Sequence, residues 1–432
     1  MIATRRAPRQ IGRRRLGQSL AEAYYGMLEQ HGPEQGQDSL REIVHHMRKK
    51  GQLPDAVVSL RALAEGILGE NFQSKLIRHK DSSYYGRGLM ESQAAIDVSA
   101  FSNITGQLFV DRVLENYNNP DFIGDSLMTT VPVVNGNLST HKEPWLSRVY
   151  DEPSPIQPGG MYPLTQFKEQ YITLPAVGKY GEQLAVTIEM VVSDLTRQAM
   201  SAADDVGRKT RQFKERLQLC TVAGLNVPRY QNGNTWNYMG TGYNTYQTSL
   251  SAIFTNAISG ATVTDYTGIA NLELLFSKMV DLATGDPIDV PIMSRKILCT
   301  PDKEWDFRKI FRSTDVLTGA FPTSGATNVQ THSPNPLEGT YPVVASKYFY
   351  HLLTDAAPGG LAKTAAQAKE TFHYGDFGTA FVWREVEPFQ TWQAPPLNEA
   401  EFQQDIILRV KTRLWGNPGV EKPQLVTQSY NT

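Results

Sequence analysis

Two cysteines, Cys220 and Cys299, stand in a chain of 432 residues. That count excludes a disulfide framework and a thiolate zinc site. Both lie in apolar patterns and read as buried thiols, which suits a reducing cytoplasm. No run of about 18 apolar residues occurs, so no segment is expected to cross a membrane. The basic N-terminus has no apolar stretch behind it and does not read as a signal peptide. There is no Walker phosphate loop, no HExxH zinc motif and no Gly-x-Ser-x-Gly nucleophile elbow. Gly240-Thr241-Gly242 has neither a strand before it nor a helix after it. His332, His351 and His373 are isolated along the chain, and adjacent His45 and His46 point to different sides of a helix. His141 and Glu143 fall in an extended segment that would support a site poorly. The expectation is a protein that is not an enzyme, with no catalytic residue, no cofactor and no metal.

Charge is scarce in one long stretch and crowded in another. Between Arg229 and Asp265 no charged residue occurs, and Asn, Thr, Gly and aromatics fill the gap. This reads as a polar insertion ordered by Asn and Thr hydrogen bonds. Residues 1–95 hold 15 Lys+Arg against 10 Asp+Glu, whereas residues 96–432 hold 27 against 34. Arg5, Arg6, Arg9, Arg13, Arg14 and Arg15 all precede the first acid, Glu22. Such a block repels itself and seeks polyanions, so these six arginines are the candidates for non-specific contact with nucleic acid. At 40% hydrophobic and 20% charged, the chain as a whole reads as globular, with room for two or more lobes.

The strongest pattern runs from Ile188 to Gly224. Val192, Leu195, Ala199, Ala203, Val206, Phe213, Leu217 and Cys220 recur at helical spacing, with only Thr210 breaking the stripe. Arg208, Lys209, Arg211, Lys214 and Glu215 fall on the opposite face, which is expected to contact neighbouring subunits or the interior of the assembly. Ser193 is expected to cap the start and Gly224 to end it. Roughly 30 residues give a rod of about 45 Å, long enough to be a backbone on which other layers lie.

Before it come a basic arm over residues 1–16 and three short amphipathic helices, on Leu20–Met27, Leu40–Met47 and Val57–Leu68. A linker-like stretch, DSSYYGRGLMES, marks a first boundary near residue 95. Ser102 is expected to cap a helix that ends before Pro120, followed by an extended run from Met128 to Val134. Two extended stretches over 138–187 flank the tip DEPSPIQPGGMYP, which holds four prolines and two glycines. An isolated two-stranded arm is marginal in water, so its tip, with Pro153, Pro155, Pro158, Met161 and Tyr162, is expected to pack on a neighbouring subunit. From Gly268 the pattern turns α/β: a helix on Ile269–Leu282, a strand at Lys296–Cys299, a helix opened by Pro301, a strand on Tyr341–Leu353, and sheet-like spacing of Phe372, Tyr374, Phe377 and Phe381. In the closing stretch Ile406, Leu408, Val410, Thr412 and Leu414 alternate with Ile407, Arg409, Lys411 and Arg413, which is a half-buried strand with a basic outer side.

With these pieces in order, the chain resembles the major capsid proteins of tailed bacteriophages, which have the Hong Kong 97-like fold. The residues that carry the resemblance are FSNITGQLFVDRVLENYNNPDFIGDSLMTTVPV (101–133), GKYGEQLAVTIEMVVSDL (178–195) and AEFQQDIILRVKTRLWGNPGVEKPQLV (400–426). It covers roughly residues 100–426 and lies in the order and spacing of the segments. It implies an α+β chain: a basic arm and helical segment over 1–95, an N-arm over 96–137, an extended loop over 138–187, and a spine helix over 188–224. The polar insertion over 225–267, an axial domain over 268–370 and a return to the peripheral domain over 371–432 complete it. The leading 95 residues match either a scaffold removed by a protease or a retained interior arm, and the sequence leaves both open.

The function so implied is structural. Identical subunits would form hexamers and pentamers around scaffold and portal proteins in the host bacterial cytoplasm, then become the virion shell holding packaged double-stranded DNA, with no membrane involved. One alternative keeps the fold as an encapsulin-like bacterial compartment. Another, of a different class, is a DNA-binding regulator built on the N-terminal helices, weighed because Arg48, Lys49 and Lys50 lie at a helix end.

Overall fold

The computed structural model describes residues 60–68, 72, 73, 76, 89–119, 121–133, 138, 139, 141–144, 155, 156, 158–162, 171–193, 198–224, 228–231, 234–237, 245, 246, 255–260, 267–279, 287, 294–313, 315–318, 331–335, 337–339, 341–354, 363–394 and 405–430. The six N-terminal arginines, the helices expected before residue 57, Pro153 and most of the uncharged stretch lie outside them. The class is α+β, as expected. The chain forms two compact units: Met1–Pro120 with Lys179–Gln212 and Pro388–Leu414, and Asp121–Gly178 with Phe213–Glu387 and Trp415–Thr432.

In the first unit, helices cover one face of a sheet. Helix Leu60–Leu68 buries Leu60, Leu63, Ala64 and Leu68 against Phe101, Ile104, Leu108 and Phe109 of helix Leu89–Tyr117. Strand Gln183–Thr187 pairs antiparallel with strand Ile406–Val420, Lys411 opposite Gln183 and Val410 opposite Leu184. Leu408 and Val410 join the same core as Val186, Val191, Met200 and Ala203. The expected alternation holds from Leu408 to Leu414, but Ile406 and Ile407 are both buried. A register shift between Ile406 and Leu408 is the reason: an extra residue in one strand lets two neighbours face the same side.

Three expectations are corrected here. Helix Leu89–Tyr117 starts well before Ser102, so the expected border at residue 95 falls inside it. Ser102 caps nothing; its hydroxyl donates to the Ile407 carbonyl at 3.0 Å. Of the rod expected over 188–224, the described residues show helix at Ile188–Ser193 and at Gln198–Val222, and residues 194–197 lie outside them. Ser193, expected as a cap at the helix start, is itself helical, its hydroxyl donating back to the Glu189 carbonyl at 2.6 Å. Gly224 does end the second, at φ +67°, where a side chain would be strained.

The second unit is built on a five-stranded mixed sheet. Its order is Val343–Ala345, Lys296–Cys299, Phe372–Gly375, Val426–Tyr430 and Ala257–Ser259. The outer pairs are parallel and the central strand is antiparallel to both neighbours. Helix Pro301–Arg312 follows its strand with Pro at the first position, where a missing N–H costs nothing. The run expected as a strand to Leu353 becomes helix Lys347–Thr354 after Ala345. The Ser346 hydroxyl accepts the Phe349 N–H at 3.3 Å, an N-cap that redirects the chain. Asp376 likewise caps the short helix Phe377–Ala380, so Phe377 leaves the sheet pattern before strand Phe381–Gln393 begins. Both cysteines are buried and neither is in a disulfide. Burial, with Glu304 adding and Arg308 opposing, pushes the Cys299 thiol up to about 12.

Candidate assembly surface

The second unit includes a two-stranded ribbon, His141–Pro144 antiparallel to Tyr171–Leu174. The Val177 N–H donates to the Leu138 carbonyl at 2.9 Å and continues the pairing beneath it. The base is anchored. Leu174 is fully buried, and a Cβ on Gly419 would come within 2.8 Å of its side chain. Arg384 donates to the Pro175 carbonyl at 2.8 Å and Asn417 to the Ala176 carbonyl at 3.0 Å. Strands Lys179–Tyr180 and Gln183–Thr187, within the range expected for the arm, instead pair with Ile406–Val420. The arm is therefore shorter than its expected range.

Beyond the ribbon, Pro155, Ile156, Pro158, Met161 and Tyr162 are exposed, Met161 at 95% and Tyr162 at 84%. Gly159 takes φ +83° with open space around it, a turn that glycine accepts without strain. Burying Met161 and Tyr162 against a partner would contribute about 1.5–3 kcal/mol each. Pro153 and the six arginines Arg5, Arg6, Arg9, Arg13, Arg14 and Arg15 lie outside the described residues.

Polar groups inside the second unit fix other joints. Lys214 and Glu215, expected on an outward face, are buried. The Glu215 carboxylate accepts the N–H groups of Ile123 at 3.1 Å and Gly124 at 2.7 Å. Lys214 pairs with Asp125 at 2.9 Å and lies 4.9 Å from the Trp383 ring centroid, while Gln218 donates to the same carboxylate at 2.9 Å. The negative charge sits where backbone donors are unsatisfied, at the start of helix Gly124–Leu127. A second cluster joins Glu273 to Arg295 at 2.8 Å and to the Tyr341 hydroxyl at 3.1 Å. The Asn256 amide reaches the carbonyls of Thr245, Pro423 and Val426, and the Tyr246 hydroxyl donates to Val222 at 2.6 Å. These last two come from the uncharged stretch and tie part of it to the sheet and to the end of the long helix.

His373 lies in the central strand, fully buried, with Tyr246 and Phe349 ring centroids 4.9 and 5.4 Å from its own. Burial first, and Lys363 second, lower its basicity to about 3. Among the described residues no group of three or more His, Cys, Asp or Glu is placed to hold a metal, and no helix is long and apolar enough to cross a membrane.

A family model described as "Phage capsid protein" matches residues 170–425. No curated protein matches the chain. Among solved structures the chain is similar to the capsid of the Cyanophage P-SCSP1u, at 11% identity and TM-score 0.43, over 71% of this chain and 86% of that one. It is similar to a structure from Gordonia phage Cozz at 10% identity and TM-score 0.42, over 72% and 87%. For Mycobacterium phage Cain the values are 11% and 0.42, over 72% and 90%.

Proposed function

The chain belongs to the phage capsid protein family, and from that premise we propose that it is the major head subunit of a tailed double-stranded DNA phage. A capsid protein is a structural component of the virion and works as many copies in a shell. In the finer reading the fold is Hong Kong 97-like, the subunits form hexamers and pentamers, and the shell is assembled in the bacterial cytoplasm with scaffold and portal proteins. The ribbon and its tip serve as the extended loop and helix Gln198–Val222 as the spine. Packaged DNA is met by the N-terminal arginines without sequence reading.

The observation that carries the assembly role is the tip. A soluble monomer gains nothing by holding Met161 and Tyr162 out on a Pro-rich turn, because apolar surface in water is unfavourable. A neighbouring copy offers the same surface at every position of a ring, so one contact type repeats until the ring closes. The test replaces Met161 and Tyr162 together by serine. Assembly should fall sharply while the melting temperature of the unassembled chain is unchanged. Normal assembly by the double variant would sink the assignment of the tip.

A further inference from the structure

Helix Pro301–Arg312 packs one side on the aromatic core of the second unit. Phe307 meets the Phe372 ring edge-on, with centroids 5.0 Å apart, and Phe311 meets Tyr341 at 5.8 Å. At about 100° per residue the opposite side runs through Asp302, Trp305, Lys309 and Arg312. All four are exposed, Trp305 at 69%. An indole held in water is unfavourable, and tryptophan is a common anchor at the centre of protein contacts.

Charge divides along the same helix, with acids in the first turn and bases in the last. Glu304 pairs with Arg308 at 2.5 Å and Asp306 with Lys303 at 3.5 Å, within the helix. Asp302 and Lys309 share one flank of Trp305, about 10 Å apart along the axis. Asp302 also meets Lys369 at 3.8 Å, a long pair between half-exposed groups that contributes little and leaves room for a second cation. A two-fold axis beside Trp305 reverses the helix and keeps that flank on the same side. Asp302 of one copy then faces the partner's Lys309, the same pair recurs at the other end, and the two indoles meet between them. A parallel pairing would set Asp302 against Asp302 and Lys309 against Lys309.

We propose that this helix face is a two-fold contact between copies of the chain, centred on Trp305 and flanked by two Asp302–Lys309 bridges. The face is complementary to itself, as a two-fold contact requires. It is separate from the tip at Met161 and Tyr162, so either contact can fail alone. One helix pair covers far less than the roughly 1,600 Å² of a standard interface, so the dimer is weak and forms at high protein concentration.

The test is sedimentation of the full chain without scaffold over a range of concentrations. A reversible dimer is expected, and a chain that stays monomeric throughout overturns the proposal. Trp305→Ser should raise the dissociation constant about 30-fold or more. Asp302→Lys and Lys309→Asp should each weaken the dimer, and the two together should restore it. An unchanged dimer in Trp305→Ser, or no recovery in the double swap, would overturn the proposal. The Met161, Tyr162 double-serine variant should keep the dimer; if it loses it, the association belongs to the tip and this proposal fails. A second readout adds Asp302→Cys and Lys309→Cys to one chain, leaves Trp305 in place and oxidises with diamide. Cys220 and Cys299 are buried. The product should be a covalent dimer that grows no further, because a two-fold contact closes. A ladder of longer oligomers would show a head-to-tail contact and overturn it.

Discussion

Lys214 and Arg208 stand on one helix six residues apart and look alike in the sequence, yet their surroundings are opposite. Arg208 is exposed and pairs with Asp205, one turn away. Lys214 is buried against Trp383 and holds the Asp125 carboxylate. Arg208→Glu should change stability by no more than about 0.5 kcal/mol in urea unfolding. Lys214→Glu sets a carboxylate beside Asp125 and Glu215 and should cost about 3 kcal/mol or more. His373 gives a different signature. An unfolded histidine takes a proton near 6.5, while the buried one resists until about 3. The native state therefore binds fewer protons across that window. Its contribution to stability is complete above pH 6.5 and is lost as pH falls toward 3. Melting temperatures of His373→Leu should decline less steeply over that range than those of the natural protein.

The helix Gln198–Val222 crosses helix Leu89–Tyr117 at Gly207. A Cβ there would come within 2.3 Å of the Val113 carbonyl oxygen. Helix propensity alone favours alanine over glycine by about 1 kcal/mol. The backbone contact cannot give way cheaply, so the clash wins and Gly207→Ala should lower the melting temperature. A rise would show that the helices have room to separate. Which parts of such elements the sequence revealed follows from what specifies them. The strand through Leu408, Val410 and Leu414 was legible because one side is core and the other is not. Of the stripe on the long helix, Ala203, Leu217 and Cys220 are buried as their helical spacing implied, while Val206 and Phe213 are half-buried. The burial of Lys214 and Glu215 was not, because their partners, Asp125 and the Ile123 and Gly124 N–H groups, lie about ninety residues earlier and periodicity sees only neighbours. The switch from strand to helix at Ser346 turned on a single capping hydroxyl in an apolar run that fits either state. On the candidate surface, Pro155, Pro158, Met161 and Tyr162 stood out by composition, whereas the anchors Arg384 and Asn417 carry no local signal.

Within the second unit, buried polar clusters stand apart in kind from the exposed apolar side chains of Met161 and Tyr162, and the proposed assembly role makes stability and assembly separable. The buried clusters at Glu215 and Arg295 hold the second unit together whatever the tip does. Met161 and Tyr162 are exposed, and in the proposed reading a second copy covers them. Deleting residues 151–164 should therefore abolish assembly and leave the unassembled chain folded. The most direct measurement is negative-stain microscopy of the purified full chain, with and without that deletion, under assembly conditions that include a scaffold. Closed shells or rings from the full chain, and none from the deletion, are the predicted result. Particles of single-subunit size from the full chain, or intact shells from the deletion, would contradict it.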